Sequence, residues 1–422
     1  MSETVASEHP TRPGVDPWSM PLDAIDVSNP ELYEQDAWRP FFRRLREDDP
    51  VHYCPDSAFG PYWSVTKFAD IQHVDTHHEI FSSEPTIAIG DSPEDFQLHP
   101  GFIAMDPPRH DAQRSVVQPV VAPANLQKLE PLIRRRVCEI LDGLPPGETF
   151  DWVDLVSIEL TTRMLATLFD FPFDERRKLT YWSDMATSSP LLMGSRGATD
   201  EQRRGALMEC LEYFTVLWNE RVNRDPVDRL DLVTMLARGE ATRDMTPFEY
   251  LGNLILLIVG GNDTTRNSIS GGVLALNENP DEYRKLRENH GLIPNMVSEI
   301  IRWQTPLPHM RRLATQDTEL RGKQIRKGDK VVMWYLSGNR DEEVIENADA
   351  FIIDRPRARH HVSFGFGIHR CMGNRLAEMQ LRIVWEEIMQ RFRMIEVVGE
   401  PVRICSNFVR GYSSLPVRVH PI

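Results

Sequence analysis

One short stretch of the chain, FGFGIHRCMG at residues 364–373, sets the strongest constraint on its fold. It places Cys371 in a loop with three glycines, and glycine occurs where a backbone bends sharply or approaches another group closely. A helical pattern begins near Gly373, so the N-terminal amides and dipole of that helix point back at the sulfur and favour the thiolate. The loop therefore predicts an axial thiolate ligand for a haem iron. The alternative is a glycine-rich turn that carries an incidental cysteine.

The composition excludes several classes of protein. A net charge of −15 argues against nonspecific binding to nucleic acid or to an anionic membrane, because both require an excess of Lys and Arg. The first residues lack the features of a signal peptide, and the most apolar run (254–261) is far shorter than the roughly 20 residues of a membrane span. The five cysteines are scattered without a CxxC pair, which favours neither a disulfide framework nor a zinc ribbon. We therefore expect a cytoplasmic protein without a membrane span.

The pattern of apolar residues predicts a mainly α-helical chain with a small β-rich part. Residues 1–17 are rich in Pro, Ser, Thr and charge, which predicts a flexible N-terminal arm, and residues 18–422 are expected to form a single domain. The stretch at 51–66 predicts a hairpin, and strand patterns recur within 309–339. The longest helical pattern begins with Thr246 as N-cap and Pro247 in the first turn, and it runs about thirty residues, which predicts a helix that crosses the core.

The spacing of Phe364, Gly367, Cys371 and Gly373 resembles the F-x-x-G-x-x-x-C-x-G signature of the cytochrome P450 family. Motifs similar to others of that family precede it in the expected order, and the resemblance covers nearly the whole chain. It implies a cytochrome P450-like fold with a long central helix over haem b. It also implies that Cys371 is the ligand of the iron and that Phe364 and Gly365 lie beside the haem.

The sequence EIIR at residues 299–302 resembles the E-x-x-R helix of the family. Glu299 and Arg302 share one face of a helix, and the resemblance implies that Arg355, in the segment before the cysteine loop, completes the group. By itself the motif is uninformative, because ion pairs with this spacing occur on many solvated helices. Its order and its distance from the cysteine loop favour a structural role for the three residues, in which they hold the scaffold of that loop.

The long helix contains GGNDTT at residues 260–265, which resembles the oxygen-activation motif of the family. Two glycines weaken an apolar helix by roughly 1 kcal/mol each relative to alanine, and Thr264 can bond to a carbonyl one turn earlier, which would leave a dent for dioxygen. The resemblance implies that Asp263 and Thr264 are catalytic and pass protons to the oxygen. In the alternative interpretation, Asp263 is a solvated helix residue and Thr264 is packed in the core. Because Thr265 directly follows Thr264, it also stays open which of the two hydroxyls faces the oxygen.

The resemblance also implies a set of basic side chains that bind the haem propionates. His110 and Arg114 lie four residues apart on one helical face, and the same role carries over to Arg312 and His369. Two basic residues for each propionate are reasonable, because a buried carboxylate needs charge-assisted partners. The alternative for each is a cation on the surface. Arg370, directly before the cysteine, is expected on the surface where a ferredoxin docks.

The candidate residues of the substrate pocket are apolar. They are Leu256, Val259, Gly260, Leu307, Met310 and Phe408, with Ile87, Ile89, Phe96 and Phe102 in an earlier loop. The stretch SSPLLMGSRG at residues 188–197, which we call the lid segment, is typical of a mobile lid with apolar residues between serine and glycine hinges. No charged anchor is evident, so we expect a small hydrophobic substrate. The alternative is that several of these residues are ordinary core.

Three segments resemble one subfamily in particular, the bacterial P450 subfamily of soluble alkane hydroxylases. They are residues 256–276, 299–312 and 364–387. That subfamily oxidises medium-chain n-alkanes and related chains, including fatty acids, at the terminal carbon. The implied reaction is RH + O₂ + 2 e⁻ + 2 H⁺ → ROH + H₂O, with electrons from NAD(P)H through a ferredoxin reductase and a 2Fe–2S ferredoxin. Because terminal attack is chemically harder than attack at an internal methylene, the pocket must present only the end of the chain.

Three other functions stay open from the sequence. The first is a P450 that hydroxylates terpenoids, steroids or aromatic compounds. The second is a haem-thiolate enzyme that uses peroxide, and the third is a haem-based gas sensor. The Asp263–Thr264 pair argues against the last two, because the resemblance implies that peroxide-using members of the family replace this pair and because a sensor has no need of a proton relay.

Overall fold

The computed structural model describes residues 9–91, 101–223 and 230–422. Its α-helices are α1 (Glu31–Glu34), α2 (Arg39–Asp48), α3 (Phe68–Thr76), α4 (Arg109–Val117), α5 (Pro123–Asp142), α6 (Glu159–Phe169), α7 (Arg177–Thr187), α8 (Pro190–Met193), α9 (Asp200–Asn223), α10 (Leu232–Arg238), α11 (Pro247–Glu278), α12 (Pro280–Glu288), α13 (Ile293–Gln304), α14 (Tyr335–Gly338) and α15 (Asn374–Arg391). The mainly α-helical class predicted from the sequence is confirmed.

The strands are β1 (Val51–Cys54), β2 (Tyr62–Val65), β3 (Phe81–Ser82), β4 (Thr149–Asp151), β5 (Met310–Ala314), β6 (Thr318–Leu320), β7 (Lys323–Ile325), β8 (Lys330–Met333), β9 (Phe392–Val397), β10 (Val402–Arg403), β11 (Tyr412–Ser414) and β12 (Pro416–Pro421). The largest sheet has the order β1–β2–β8–β5–β3, in which β2 and β8 are parallel and the other neighbours antiparallel. The predicted hairpin is its β1–β2 edge, with Val51 opposite Val65. Smaller sheets are β4–β12–β9, β10–β11 and β6–β7.

Helix α11 is the centre of the fold. Its N-terminus is closed by a reciprocal cap, because the Thr246 hydroxyl accepts from the amide of Glu249 and the Glu249 carboxylate accepts from the amide of Thr246 at 2.9 Å. The helix runs for 32 residues through its glycines and contacts α6, α7, α9, α13 and α15. The predicted central helix is thus confirmed. Neither it nor any other helix in the described ranges has the length and hydrophobicity that crossing a membrane requires.

Part of the predicted N-terminal arm packs against the rest of the chain. Residues 1–8 of that arm lie outside the described residues. Thr11 is fully buried, its hydroxyl donates to the carbonyl of Ala24 at 3.1 Å, and the Asn29 side chain donates to the Thr11 carbonyl at 2.8 Å. Thr11 is thus fixed to the segment 24–29, and the flexible arm as a whole stays a prediction. Side-chain bonds to the backbone hold a segment whose composition alone is typical of a disordered chain.

Candidate active site

The Cys371 loop is folded tightly between α3 and α15. The Cys371 amide donates to the carbonyl of Phe364 at 2.8 Å, and Gly365 and Gly367 adopt φ angles of 61° and 63°, which side chains rarely tolerate. A Cβ at Gly367 would also lie only 2.4 Å from the carbonyl oxygen of Asp75. Two of the three glycines in the loop therefore serve a close approach to α3.

Cys371 is exposed and lines a cavity. Burial raises the pKa of the Cys371 thiol above its ordinary value, whereas the amides of Gly373 and Asn374 and the Arg114 guanidinium lower it. Those amides lie at the start of α15, where the sequence predicted that a helix N-terminus would face the sulfur. A metal ion deprotonates a coordinating thiol outright, so the loop fits a thiolate bond to iron.

The four basic side chains predicted to bind propionates lie together, and we call them the basic cluster. Arg114, Arg312 and His369 line the cavity, and the ring of His110 packs edge-to-face on His369 with 4.3 Å between centroids. Burial, together with Arg312, His110 and Arg114, lowers the pKa of His369 to about 2. Both ring nitrogens of His369 and Nε2 of His110 are buried without a hydrogen-bond partner in the described structure.

An unpaired buried polar atom costs about 1–3 kcal/mol. The basic cluster therefore suits a ligand that brings carboxylates to it. The two propionates of a haem b whose iron is bound by Cys371 supply such groups. On these observations, the residues present fit the cofactor that the resemblance implies.

The two candidate catalytic residues of α11 differ in position. Thr264 and Thr265 both line the cavity, and the Thr264 hydroxyl donates to the carbonyl of Gly260 at 2.9 Å, which is the bond predicted from the sequence. Asp263 is fully buried and does not belong to the cavity wall. The structure thus brings the hydroxyls to the cavity and leaves the carboxylate behind them, while the choice between Thr264 and Thr265 stays open.

Asp263 belongs to a buried polar network between α11 and α7. It accepts from the side chain of Asn262 at 2.9 Å and lies 3.0 Å from Arg266, whose guanidinium also donates to Asp184 at 2.6 Å. Burial raises the pKa of Asp263 to about 6, although the charge of Arg266 lowers it. Because a carboxyl with such a pKa gains and loses protons near neutral pH, the network can store a proton close to the cavity.

Glu299, Arg302 and Arg355 form a buried ion triad. The Glu299 carboxylate accepts from Arg302 at 2.7 and 2.8 Å and from Arg355 at 3.1 Å. Both guanidiniums also donate to the carbonyl of Ala350, at 2.9 and 2.8 Å. The triad thus ties α13 to the segment that leads to the cysteine loop, which is the arrangement that the resemblance implies.

The cavity has a volume of about 420 Å³ and reaches from Cys371 to the lid segment. Of the residues predicted to form the pocket, its walls include Leu256, Val259, Gly260, Leu307, Met310 and Phe408, together with Ile87 and Phe102. The lid segment contains α8 and contributes Leu191 and Leu192 to the wall. The prediction for Ile89 is wrong, because this residue is fully buried and does not line the cavity. Phe96 lies outside the described residues.

Two charged side chains of the cavity wall, Asp91 and Arg203, were not expected from the sequence. Asp91 is neutralised by basic side chains of β5 and β8, each at 2.6 Å. Arg203 on α9 donates to Asp200 at 3.0 Å and, more weakly, to two carbonyls in the last turn of α7. Tertiary packing brings both residues to the wall, and no sequence motif marks either of them.

Comparison with known proteins identifies the family. The model described as Cytochrome P450 matches residues 60–413 of the chain. The chain belongs to the cytochrome P450 family. Members of this family bind haem b through a cysteine thiolate, so haem b is the cofactor of this P450.

The relatives of this P450 match it over nearly their full length. It is 37% identical to linalool 8-monooxygenase of Pseudomonas putida, over 95% of this chain and 100% of the relative. It is 31% identical to methyl-branched lipid omega-hydroxylase of Mycobacterium bovis, over 96% of each chain. Among solved structures, Cytochrome P450-153 from Novosphingobium aromaticivorans matches with a TM-score of 0.88 and 48% identity, over 96% of this chain and 100% of that one.

Proposed function

We propose that this P450 inserts one oxygen atom of O₂ into the terminal carbon of a hydrophobic chain, a medium-chain n-alkane or a fatty acid. The observation that carries the proposal is the cavity, whose apolar walls come from α11, from the segment after α13 and from the C-terminal region. Such walls bind a chain without polar groups and exclude water from it. Similarity to an omega-hydroxylase of methyl-branched lipids supports attack at the end of a chain.

In this proposal haem b supplies the activation of O₂, and the protein supplies binding, orientation and protons. The basic cluster holds the propionates, and Cys371 holds the iron. The Thr264 hydroxyl holds a proton on the cavity side of α11, and Asp263 replenishes it from the network behind the helix. A peroxide-using enzyme or a gas sensor has no need of this network.

Product analysis tests the proposal. The purified P450 is supplied with a surrogate ferredoxin, its reductase and NADPH, and it receives octane, dodecanoate, linalool or a steroid. We expect octan-1-ol and 12-hydroxydodecanoate by mass spectrometry, and a substrate-induced spectral shift with octane that the steroid does not produce. Alcohols formed mainly at internal carbons would contradict terminal attack. Consumption of NADPH without product from any of the compounds would favour a sensor.

A second candidate is the hydroxylation of a terpenoid. The identity of 37% with linalool 8-monooxygenase over the full length of that enzyme favours it. The same experiment separates the two functions, because a terpenoid hydroxylase would convert linalool and leave octane unchanged.

Arg203 provides a test between alkanes and fatty acids. Arg203 lines the cavity and donates to two carbonyls of α7 that directly precede the lid segment. A guanidinium has five N–H donors in a planar fork that suits a carboxylate. If the enzyme uses fatty acids, Arg203→Gln should weaken the binding of dodecanoate and leave the binding of octane unchanged. Equal losses for both would show that Arg203 only caps the end of α7.

We further propose that a 2Fe–2S ferredoxin delivers electrons at the surface around Arg370. This side chain is exposed next to Cys371, and its carbonyl accepts from Arg114 at 2.6 Å. Arg370→Glu should raise the ferredoxin concentration at half-maximal rate, more strongly at low salt, without changing the substrate-induced spectral shift. Arg43→Glu, on the exposed face of α2, is the control, and equal effects of the two would contradict the proposal. The ferredoxin, its reductase and the cytoplasmic location stay predictions.

A further inference from the structure

A carboxylate that no motif singles out lies behind the basic cluster. Asp75, near the end of α3, is 2% exposed and accepts three hydrogen bonds. They come from the Arg312 guanidinium at 2.9 Å, the Tyr335 hydroxyl at 2.8 Å and the amide of Phe366 at 3.0 Å. One buried carboxylate therefore contacts a member of the basic cluster and the cysteine loop at the same time.

The contact with Arg312 fixes the direction of its guanidinium. Asp75 holds one terminal nitrogen of Arg312, and the carbonyl of Arg311 accepts from the other at 2.9 Å. A guanidinium has five N–H donors in a rigid fork, so these two bonds orient the fork while others stay available to the cavity that Arg312 lines. Removing one partner of a buried ion pair strongly destabilises the protein, because the other charge is left uncompensated.

The contact with the cysteine loop fixes the loop against α3. The Phe366 amide bonded by Asp75 lies five residues before Cys371. A Cβ at Gly365 would lie 3.2 Å from the Asp75 carboxylate, and one at Gly367 would collide with the Asp75 carbonyl. The loop therefore packs directly on this residue, and the orientation of Arg312 and the place of the loop depend on the same carboxylate.

We propose that Asp75 is a positioning residue, which orients Arg312 toward a haem propionate and whose negative charge keeps the reduction potential of the haem low. The charge of Arg312 favours the ferrous haem, because reduction adds one negative charge near a cation, and Asp75 offsets that effect in an environment of low dielectric constant. Axial ligation and nearby charges are the means by which a protein sets haem potentials. The inference rests on the proposed role of Arg312 as a propionate ligand and is independent of the substrate.

The test is a double-mutant cycle on the holoenzyme with Asp75→Asn, Arg312→Gln and the double variant. The potential is measured by spectroelectrochemical titration with dithionite as reductant, and haem loss is measured by transfer to apomyoglobin. We expect Asp75→Asn to raise the potential, Arg312→Gln to lower it, and the double variant to return close to the wild type. Haem loss from Asp75→Asn should be at least about tenfold faster, because the Arg312 guanidinium loses the buried partner that orients it toward the propionate. Tyr335→Phe is the matched control, because it removes a neutral donor from the same carboxylate without changing any charge, and it should leave the potential near that of the wild type.

Three outcomes would overturn the inference. The first is an equal potential in Asp75→Asn and Tyr335→Phe, which would reduce Asp75 to a packing role. The second applies if the Asp75→Asn protein does not load haem. In that case a double variant that also fails to load haem would refute the proposal, whereas a double variant that loads haem would support it. The third is an unchanged potential and unchanged haem loss in Arg312→Gln, which would refute the propionate role itself. An error in the proposed substrate would change the products and leave all these measurements unaffected.

Discussion

The contacts of Glu299 in the buried triad indicate how much stability the protein loses when the charge of this residue is removed. The Glu299 side chain is 0% exposed, and its oxygens accept hydrogen bonds from Arg302, from Arg355 and from the amide of Ile352 at 2.8 Å. Glu299→Gln keeps the shape but removes the charge, and it turns an NH₂ donor toward two buried guanidiniums. Removing one partner from a buried ion pair costs about 3–5 kcal/mol, and we expect a loss of that size in the free energy of unfolding.

The assay is urea unfolding of the holoprotein, followed by the Soret band and by tryptophan fluorescence. Because the two arginines of the triad hold the segment before the cysteine loop, the Soret band of Glu299→Gln should be lost at a lower urea concentration than the fluorescence change. The control is Asp281→Asn, which breaks an ion pair of the same i,i+3 spacing with Arg284, in which the two side chains are 78% and 65% exposed. An exposed pair contributes at most about 1 kcal/mol. If Glu299→Gln costs no more than this control, the triad is not the scaffold of the loop.

Three further predictions concern the chemistry of the site. Cys371→Ala should lose the thiolate-type Soret band of the ferrous–CO complex, and a variant that keeps this band would exclude Cys371 as the ligand. Thr264→Ala should keep the substrate-induced spectral shift but release more hydrogen peroxide for each NADPH consumed; full coupling would transfer the role to Thr265. Asp263→Asn should flatten the dependence of stability on pH, because burial raises the pKa of Asp263 from 3.8 to about 6. The protonated carboxyl stabilises the wild type below its unfolded pKa, and this contribution is lost as the pH rises through about 6, so urea unfolding at pH 4.5 and at pH 6.5 should differ more in the wild type than in the variant.

The features that could be predicted from the sequence are those that a short segment specifies. The cap of α11 needs only Thr246, Pro247 and Glu249, and the bond from Thr264 to Gly260 needs only one helical turn. The loop that presents Cys371 closes on itself within eight residues, from Phe364 to Cys371. The walls of the pocket and the basic cluster are not local, and they could be predicted only because the motifs resemble those of a known family in their order.

The features that could not be predicted depend on which distant side chains meet. The glycines of the cysteine loop predicted a sharp bend or a close approach of the backbone, but the sequence did not show that the group which Gly365 and Gly367 approach is α3. Asp263 is in the expected motif, but its burial and the contact of its neighbour Arg266 with Asp184 are set by the packing of α7 on α11. Arg203 reaches the cavity because α9 packs against α7. In each case the local sequence is compatible with several tertiary surroundings.

The ligand of the iron and the charges around the haem differ in how their residues are spread along the sequence. The sulfur and the amides that face it come from one segment, residues 364–374, so the ligand to iron is a local property of the chain. The charges around the haem come from separate parts of the sequence, since Asp75 lies on α3, Arg312 on β5, His110 on α4 and His369 in the cysteine loop. A substitution in any of these elements can therefore change the electrostatic potential at the haem without altering the signature motif. Relatives that share the cysteine signature are accordingly expected to differ in reduction potential and in haem retention, and the residue that pairs with the equivalent of Arg312 is where that difference should first be sought.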